Sequence, residues 1–378
     1  MSLNAFAIAF STKFLPLIYA IIGFGLLITV HEFGHFIFCK IFKIHTPTFS
    51  IGMGPKVIEK KIGNTNFRLS AIPLGGYVEI AGLAEVGQGK QEFAKMKGES
   101  SFAKKPYWQK VFVLCGGVMF NILFAYLVYS ILFFVGIPKK KTNFIVSPKI
   151  SQTIQENFNL KANDKILSIN DKKLNKDVTK LVPILKNELI KPLQNNSENK
   201  INIVLKRDTE EINIELIPSK NKNLNSDIIN SFELKSEAIK GKYEKYPLFG
   251  AIIQGIKVTN NMIKQMVKGI IYLIKERSLK GAGGPIMILS KTFETAQKGF
   301  IPLFIFLAII SINLAIINIL PLGALDGGQL LFTTIEAVIR REIPETIKAG
   351  VNIASWVLLL GLILYLSYRD LLTIFTGK

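Results

Sequence analysis

The chain has 378 residues, is 49% hydrophobic and carries a formal net charge of +20, with a positive mean hydropathy. That apolar content excludes an ordinary soluble enzyme and directs attention to membrane segments. The basic excess is nearly all Lys, spread along loops without an aromatic-interleaved tract; it reads as solvated faces and membrane-border anchors and argues against nucleic acid as a partner.

The first apolar run, Phe14–Phe42, predicts a transmembrane helix over segment 1–42. A bilayer needs about 20 residues of helix, and each of four runs in the chain supplies them. The first has no small-x-small cleavage pattern and is read as retained. It ends in His31-Glu32-Phe33-Gly34-His35. Segment 43–110 is polar and Gly-rich, a membrane-associated loop. Within it, Asn66–Ile80 alternates and turns at Pro73-Leu74-Gly75-Gly76, predicting a β-hairpin over 66–80 whose apolar second half can re-enter the membrane. The second transmembrane helix is predicted over 111–137. Segment 139–246 changes to Lys, Asn, Asp and Glu with short apolar runs, as in a soluble domain; Lys200–Pro218 reads as two strands around a polar turn, and Lys161–Leu174 as turn, strand, turn. In 247–285, Pro247–Lys280 has apolar residues at helical spacing among lysines, an amphipathic helix. Segment 300–330 holds the third transmembrane helix and Leu325-Asp326-Gly327, and 346–376 the fourth helix. Cys39 and Cys115 lie in apolar runs and read as buried small hydrophobes. The fold class expected is a polytopic α-helical membrane protein: about four transmembrane helices, a membrane-reentrant β-hairpin loop and an inserted soluble domain.

His31 and His35, one turn apart, share a helix face and can reach one metal ion, while Glu32 stands beside that face as a candidate general base. The same spacing arises by chance in soluble helices. At the end of a membrane span it is costly unless neutralised or coordinated, which favours a functional cluster. A catalytic zinc takes three protein ligands and a water. His45 lies beyond the apolar run beside Thr46-Pro47, so a membrane-border loop is expected for it. Asp326 is the better third ligand, with an interfacial Asp-Gly turn as its bland alternative. Pro321 and Gly323 break the helix before it, and broken helices persist in membranes where they line a protein cavity. Counting spans puts the HEFGH end of the first and the Asp326 end of the third on one face. The soluble domain falls on the other.

Together HEFGH, IPLGGYVEI, CGGVMFN, Gly283-Gly284-Pro285-Ile286 and NILPLGALDGG resemble the bacterial site-2 proteases of the regulator-of-sigma-E type, in family order over nearly the whole chain. The resemblance implies an intramembrane zinc metalloendopeptidase with one Zn2+ per chain. His31, His35 and Asp326 would be its ligands and Glu32 its catalytic base. Gly117 and Asn121 match a Gly-x-x-x-Asn motif placed near the active site; a packing hydrogen bond is the plainer role for Asn121. Asn318 and Pro321 match an Asn-x-x-Pro motif of substrate handling. The loop carrying Gly75 and Gly76 would add a strand to an unwound substrate. The soluble segment resembles one PDZ domain in which Asn159 and Asn163 replace glycines of a turn; Asn is the residue that best tolerates a left-handed backbone after Gly. Gly323 stands where the family often has a second Pro.

By the same resemblance the partners are transmembrane substrate proteins trimmed beforehand by another protease, such as an anti-sigma factor, with remnant signal peptides as a second class, together with membrane lipid. The location is the bacterial inner membrane, with the PDZ-like domain and termini periplasmic and the active site toward the cytoplasm. Arg340, Arg341 and Lys348 support that orientation, whereas Lys139, Lys140 and Lys141 oppose it. Two other readings remain at this point. One is a non-catalytic PDZ-containing membrane scaffold, which has no use for Glu32 at membrane depth. The other is a metal transporter, which usually shows repeat symmetry.

Overall fold

The structure is a computed structural model describing residues 14–83, 92–94, 96, 98–148, 150–174, 178–195, 199–275, 279 and 282–376. Of the segments expected above, residues 1–13, most of 84–97, and 276–278 with 280–281 at the end of the amphipathic stretch lie outside the described residues. The chain forms two compact units, Met1–Val135 with Lys245–Lys378, and Gly136–Glu244.

Among the described residues of the larger unit, four helices are long and apolar enough to cross a membrane: α1 (Leu15–Ile41), α2 (Tyr107–Val135), α9 (Phe300–Asn318) and α11 (Glu345–Thr376). The chain is thus a multi-pass membrane protein. Helix α1 crosses α2 at a glycine-to-glycine contact. A Cβ on Gly34 would overlap the Gly116 carbonyl, and one on Gly116 would come 2.7 Å from the Gly34 carbonyl carbon. In lipid, where apolar side chains gain nothing by leaving hydrocarbon, small residues that let backbones approach are what make such a contact. Farther along α1, Leu27 packs with Leu303, Leu307 and Ile310 of α9 and Ala296 of α8 (Pro285–Gln297). Helix α7 (Leu248–Lys275) is amphipathic and seats Ala251, Gly255 and Thr259 as its buried residues, Gly255 against Ser130 of α2.

Between α1 and α2 the chain forms β1 (Thr48–Ile62) and β2 (Thr65–Glu79). Here the structure corrects the expected hairpin within 66–80. The two halves of β2 pair with β1, not with each other: Thr48–Ile51 sits between Asn66–Leu69 and Gly76–Glu79, and Lys56–Ile62 pairs back onto Thr65–Ser70. The reversal falls at Gly63, with φ +59°, and β2 bends near Gly75, with φ +105°. Strand β1 escaped notice because Gly52, Gly54 and Pro55 interrupt it and lysines crowd its second half. Phe49 and Phe67 pack on Phe36 of α1, anchoring the sheet to the helix that carries the two histidines.

The smaller unit holds β3 (Ile137–Val146), α3 (Gln152–Phe158), β4 (Lys165–Ile169), β5 (Lys172–Lys173), α4 (Val178–Leu185) running through a π-helical turn into α5 (Lys191–Gln194), β6 (Ile201–Arg207), β7 (Glu210–Leu216), α6 (Lys222–Asn230) and β8 (Phe232–Glu244). The sheet order is β7-β6-β4-β3-β8, with β5 on β4. The two strands read in Lys200–Pro218 are β6 and β7, an antiparallel pair. Asn159 and Asn163 have φ of +50° and +69°, the left-handed conformation that a glycine would otherwise supply.

The turn between those two residues is held by an ion pair whose carboxylate is buried and whose guanidinium is partly exposed. Asp164, with 2% of its side chain exposed, accepts from Arg207 Nε at 3.0 Å and Nη2 at 2.7 Å and from the Lys161 N–H at 2.8 Å. Removing the arginine leaves the buried carboxylate without its charge partner, at a cost of about 1–3 kcal/mol once the exposure of the guanidinium is allowed for. Arg207→Met is expected to destabilise this unit by that order, read as faster amide exchange and proteolysis within 136–244 of the full-length protein. Asp164→Leu combined with Arg207→Met is expected to recover most of the loss.

Candidate metal centre

Two imidazoles and one carboxylate converge where α1, α2 and the start of α10 (Asp326–Ile339) meet. The ligating atoms of His31, His35 and Asp326 lie within 4.8 Å of one another. His31 Nε2 and His35 Nε2 are 3.3 Å apart, and Asp326 Oδ2 is 3.2 Å from the first and 3.5 Å from the second. Ligands on a tetrahedral zinc with bonds of about 2.0–2.1 Å are separated by about 3.3 Å, so the three side chains have the spacing such an ion requires.

The protonation pattern points the same way. His35 Nδ1 is 2.8 Å from the Val113 carbonyl, a pure acceptor, so this nitrogen carries the hydrogen and leaves a lone pair on Nε2. Asn121 Nδ2 lies 3.2 Å from His31 Nδ1 while Asn121 Oδ1 is buried without a partner. Turning that amide over resolves both: Oδ1 accepts from His31 Nδ1–H, and His31 Nε2 is likewise left with a lone pair. Asp326 Oδ2 is buried and has no hydrogen-bond donor. Three lone pairs thus face one another at membrane depth, and a cation among them is what the arrangement accommodates. Asn318 Nδ2, 3.1 Å from His31 Nε2, is an amide at the rim of the cluster and cannot answer three acceptors.

Local sequence makes this approach possible. A Cβ on Gly117 would fall 2.5 Å from His35 Nε2 and 2.6 Å from His31 Nδ1, so the glycine vacates the space the imidazoles fill. Asn121 is fully buried, and its carbonyl accepts from Ser311 Oγ of α9 at 2.9 Å. Helix α9 ends at Asn318; Ile319–Leu325 is irregular, and Asp326 opens α10. A carboxylate in the first helical turn is favoured by the helix dipole. The exposed Pro321 lies in the break.

Glu32 is half-buried on the turn between the histidines, and its Cγ lies 3.6 Å from where a Cβ on Gly76 would stand. Strand β2 therefore passes Glu32 at its glycines, with Gly75 and Gly76 both buried. His45 is not part of the cluster; it follows α1 in a loop, its ring against Phe93. The supporting groups that sequence reading missed are the Val113 carbonyl, invisible because any residue supplies one, and Ser311, one hydroxyl in an apolar span.

The sequence model of peptidase family M50 matches residues 19–362. The chain belongs to peptidase family M50. A Fusobacterium nucleatum protein named "Putative zinc metalloprotease" is 31% identical over 367 residues, covering 94% of this chain and 98% of its own. A Helicobacter pylori protein of the same name is 32% identical over 353 residues, covering 91% and 97%. The regulator of sigma-W protease RasP of Bacillus subtilis is 25% identical over 433 residues, covering 94% and 98%. The match spans both units of this M50 chain.

Outer partners that orient metal-ligating histidines are typically worth about 10–100-fold in metal affinity. Asn121→Leu is expected to weaken zinc binding by that factor in a chelator competition assay, and Asn121→Asp, which keeps an acceptor for His31 Nδ1–H, to lose much less.

Proposed function

We propose that this chain is a zinc-dependent intramembrane endopeptidase of the site-2 protease type, cutting membrane-spanning segments of other proteins. The observation that carries the reading is the triangle of acceptor atoms from His31, His35 and Asp326 with Glu32 on the same helical turn. His31, His35 and Asp326 hold one Zn2+. When bound, zinc supplies a Lewis acid that brings the pKa of water to about 7 and polarises a peptide carbonyl. Glu32 takes the proton of the attacking water and delivers it to the leaving amide nitrogen as the C–N bond breaks. Asn121 fixes the tautomer of His31. Asn318, at the rim of the cluster, and Pro321, in the break before Asp326, contact substrate.

A peptide in helical form shields its carbonyls in its own hydrogen bonds. Opened at the site, it would leave backbone groups bare in hydrocarbon, at several kcal/mol for each. The bent part of β2 at Gly75 and Gly76, beside Glu32, offers strand backbone against which an extended substrate can pair. We assign this strand the membrane-reentrant position, and read unit Gly136–Glu244 as a PDZ-like filter that excludes untrimmed substrates. The Bacillus relative is named for sigma-W regulation. That likeness supports, for this chain, substrates of the membrane-anchored sigma-regulator class, with cleared signal-peptide remnants as a second class. We place the chain in the bacterial inner membrane, the inserted unit periplasmic and the metal site toward the cytoplasm.

Purified full-length protein in detergent is expected to cleave a helix-destabilised transmembrane substrate. A metal chelator abolishes cleavage. Glu32→Gln is expected to lower the rate by about 10²–10⁴-fold, the usual contribution of a general base, while zinc content stays stoichiometric. Zinc-loaded wild type that cuts no such substrate and is indistinguishable from Glu32→Gln would remove the support for the catalytic assignment and favour the non-catalytic scaffold.

A further inference from the structure

Helix α11 is apolar over most of its length, yet the residues it buries, among those described, are Asn352, Ser355 and Asp370. Polar side chains turned inward from a membrane span are costly unless they hold something. Asp370 accepts from the N–H groups of Gly284 at 3.1 Å and Met287 at 2.9 Å, at the start of α8. The other two meet the break that leads to Asp326. Ser355 Oγ accepts from the Gly323 N–H at 2.9 Å, and Gln329 Nε2 of α10 donates to the Gly323 carbonyl at 3.0 Å. Asn352 presses on the same residue: a Cβ on Gly323 would come 2.5 Å from its Oδ1 and 3.2 Å from its Cα. Below, Gly328 lies so close to Gly323 that a Cβ on Gly328 would come 2.5 Å from the Gly323 Cα.

The peptide groups of Gly323 thus leave the helical ladder and are both answered by side chains, as backbone at membrane depth must be. A proline at this position would have no N–H for Ser355, and any larger residue would press its Cβ on Asn352. Gln329 belongs to the first turn of the helix that Asp326 opens, so the bracket ties the Gly323 peptide to the carboxylate three residues later.

We propose that Ser355 and Gln329 are positioning residues that aim the Asp326 carboxylate at His31 and His35 by clamping the Gly323 peptide. The fourth membrane span, which supplies no atom to the metal cluster, thereby sets the metal affinity of the site. This inference rests on the metal-binding reading of His31, His35 and Asp326.

The test uses full-length protein in detergent, with zinc affinity read by chelator competition and site geometry by the visible absorption of Co2+ in place of zinc. Ser355→Ala is expected to weaken zinc binding by about tenfold or more, the low end for outer positioning groups, and to alter the Co2+ bands. Ser355→Thr, which keeps the hydroxyl, is expected to restore both, while the thermal unfolding of the metal-free protein stays at the wild-type value in either variant, which separates positioning from a folding defect. Gln329→Ala is expected to move both readouts in the same direction as Ser355→Ala. Wild-type affinity and an unchanged spectrum in Ser355→Ala would overturn the proposal, as would Ser355→Thr behaving like Ala. A wild-type protein that binds neither zinc nor Co2+ would remove the metal reading itself and the bracket's role with it. Wild type that binds zinc tightly yet cleaves nothing would remove the protease reading alone, leaving the affinity comparison to decide the bracket.

Discussion

Two imidazoles and a carboxylate at membrane depth must satisfy one another or a cation, because hydrocarbon offers no solvent to do it. Much of the larger unit can be understood as meeting that demand. The histidines are brought together by nothing more than a helical turn. The Gly34–Gly116 crossing brings α2 close enough for the Val113 carbonyl and Asn121 to hold the outer nitrogens of both rings. Gly117 removes the side chain that would otherwise occupy the cluster. The carboxylate arrives from a third element, at the first turn of α10, where its charge is also favoured by the helix dipole.

The elements around this cluster divide into those that carry the chemistry and those that hold them in place. Helix α1 supplies His31, Glu32 and His35, and its aromatic residue Phe36 anchors the sheet formed by β1 and β2. That sheet returns to α1 at Gly76, beside Glu32. One helix thus carries two of the candidate ligands and the candidate base and meets strand β2 at Gly76. Helix α9 contributes differently: by ending at Asn318 it frees the backbone of Ile319–Leu325, and the side chains of Gln329 and Ser355 take up the freed groups at Gly323.

Hydropathy revealed the four long apolar helices, and the i, i+4 spacing revealed His31 and His35, because both are local properties of the chain. The break before Asp326 was equally legible, since Pro321 and Gly323 cannot continue a helix within lipid without outside partners. The identity of those partners was not. Ser355 and Asn352 lie in a run whose average is strongly apolar, and an average conceals single polar residues. Strand β1 was missed for a different reason: its residues satisfy two separate stretches of β2, and its glycines serve bends that a periodic pattern cannot express. The close approach of Gly34 to Gly116 was also hidden, because a glycine in a span is compatible with a crossing, a kink or no contact at all.

The separation of the ligands along the chain has a consequence for biosynthesis. His31, Glu32 and His35 leave the ribosome early, whereas Asp326 follows only after the inserted unit and the third span. At about 5–20 residues per second, that interval lasts roughly 15–60 s. Once the second span has also been made, about a third of the way through, the first two spans can pair through their glycines, but the newborn chain has only two of the three groups that would hold an ion. A hydrolase that resides among other proteins' membrane segments is thereby kept inert during its own insertion, and becomes competent only when its last quarter has been threaded into the bilayer.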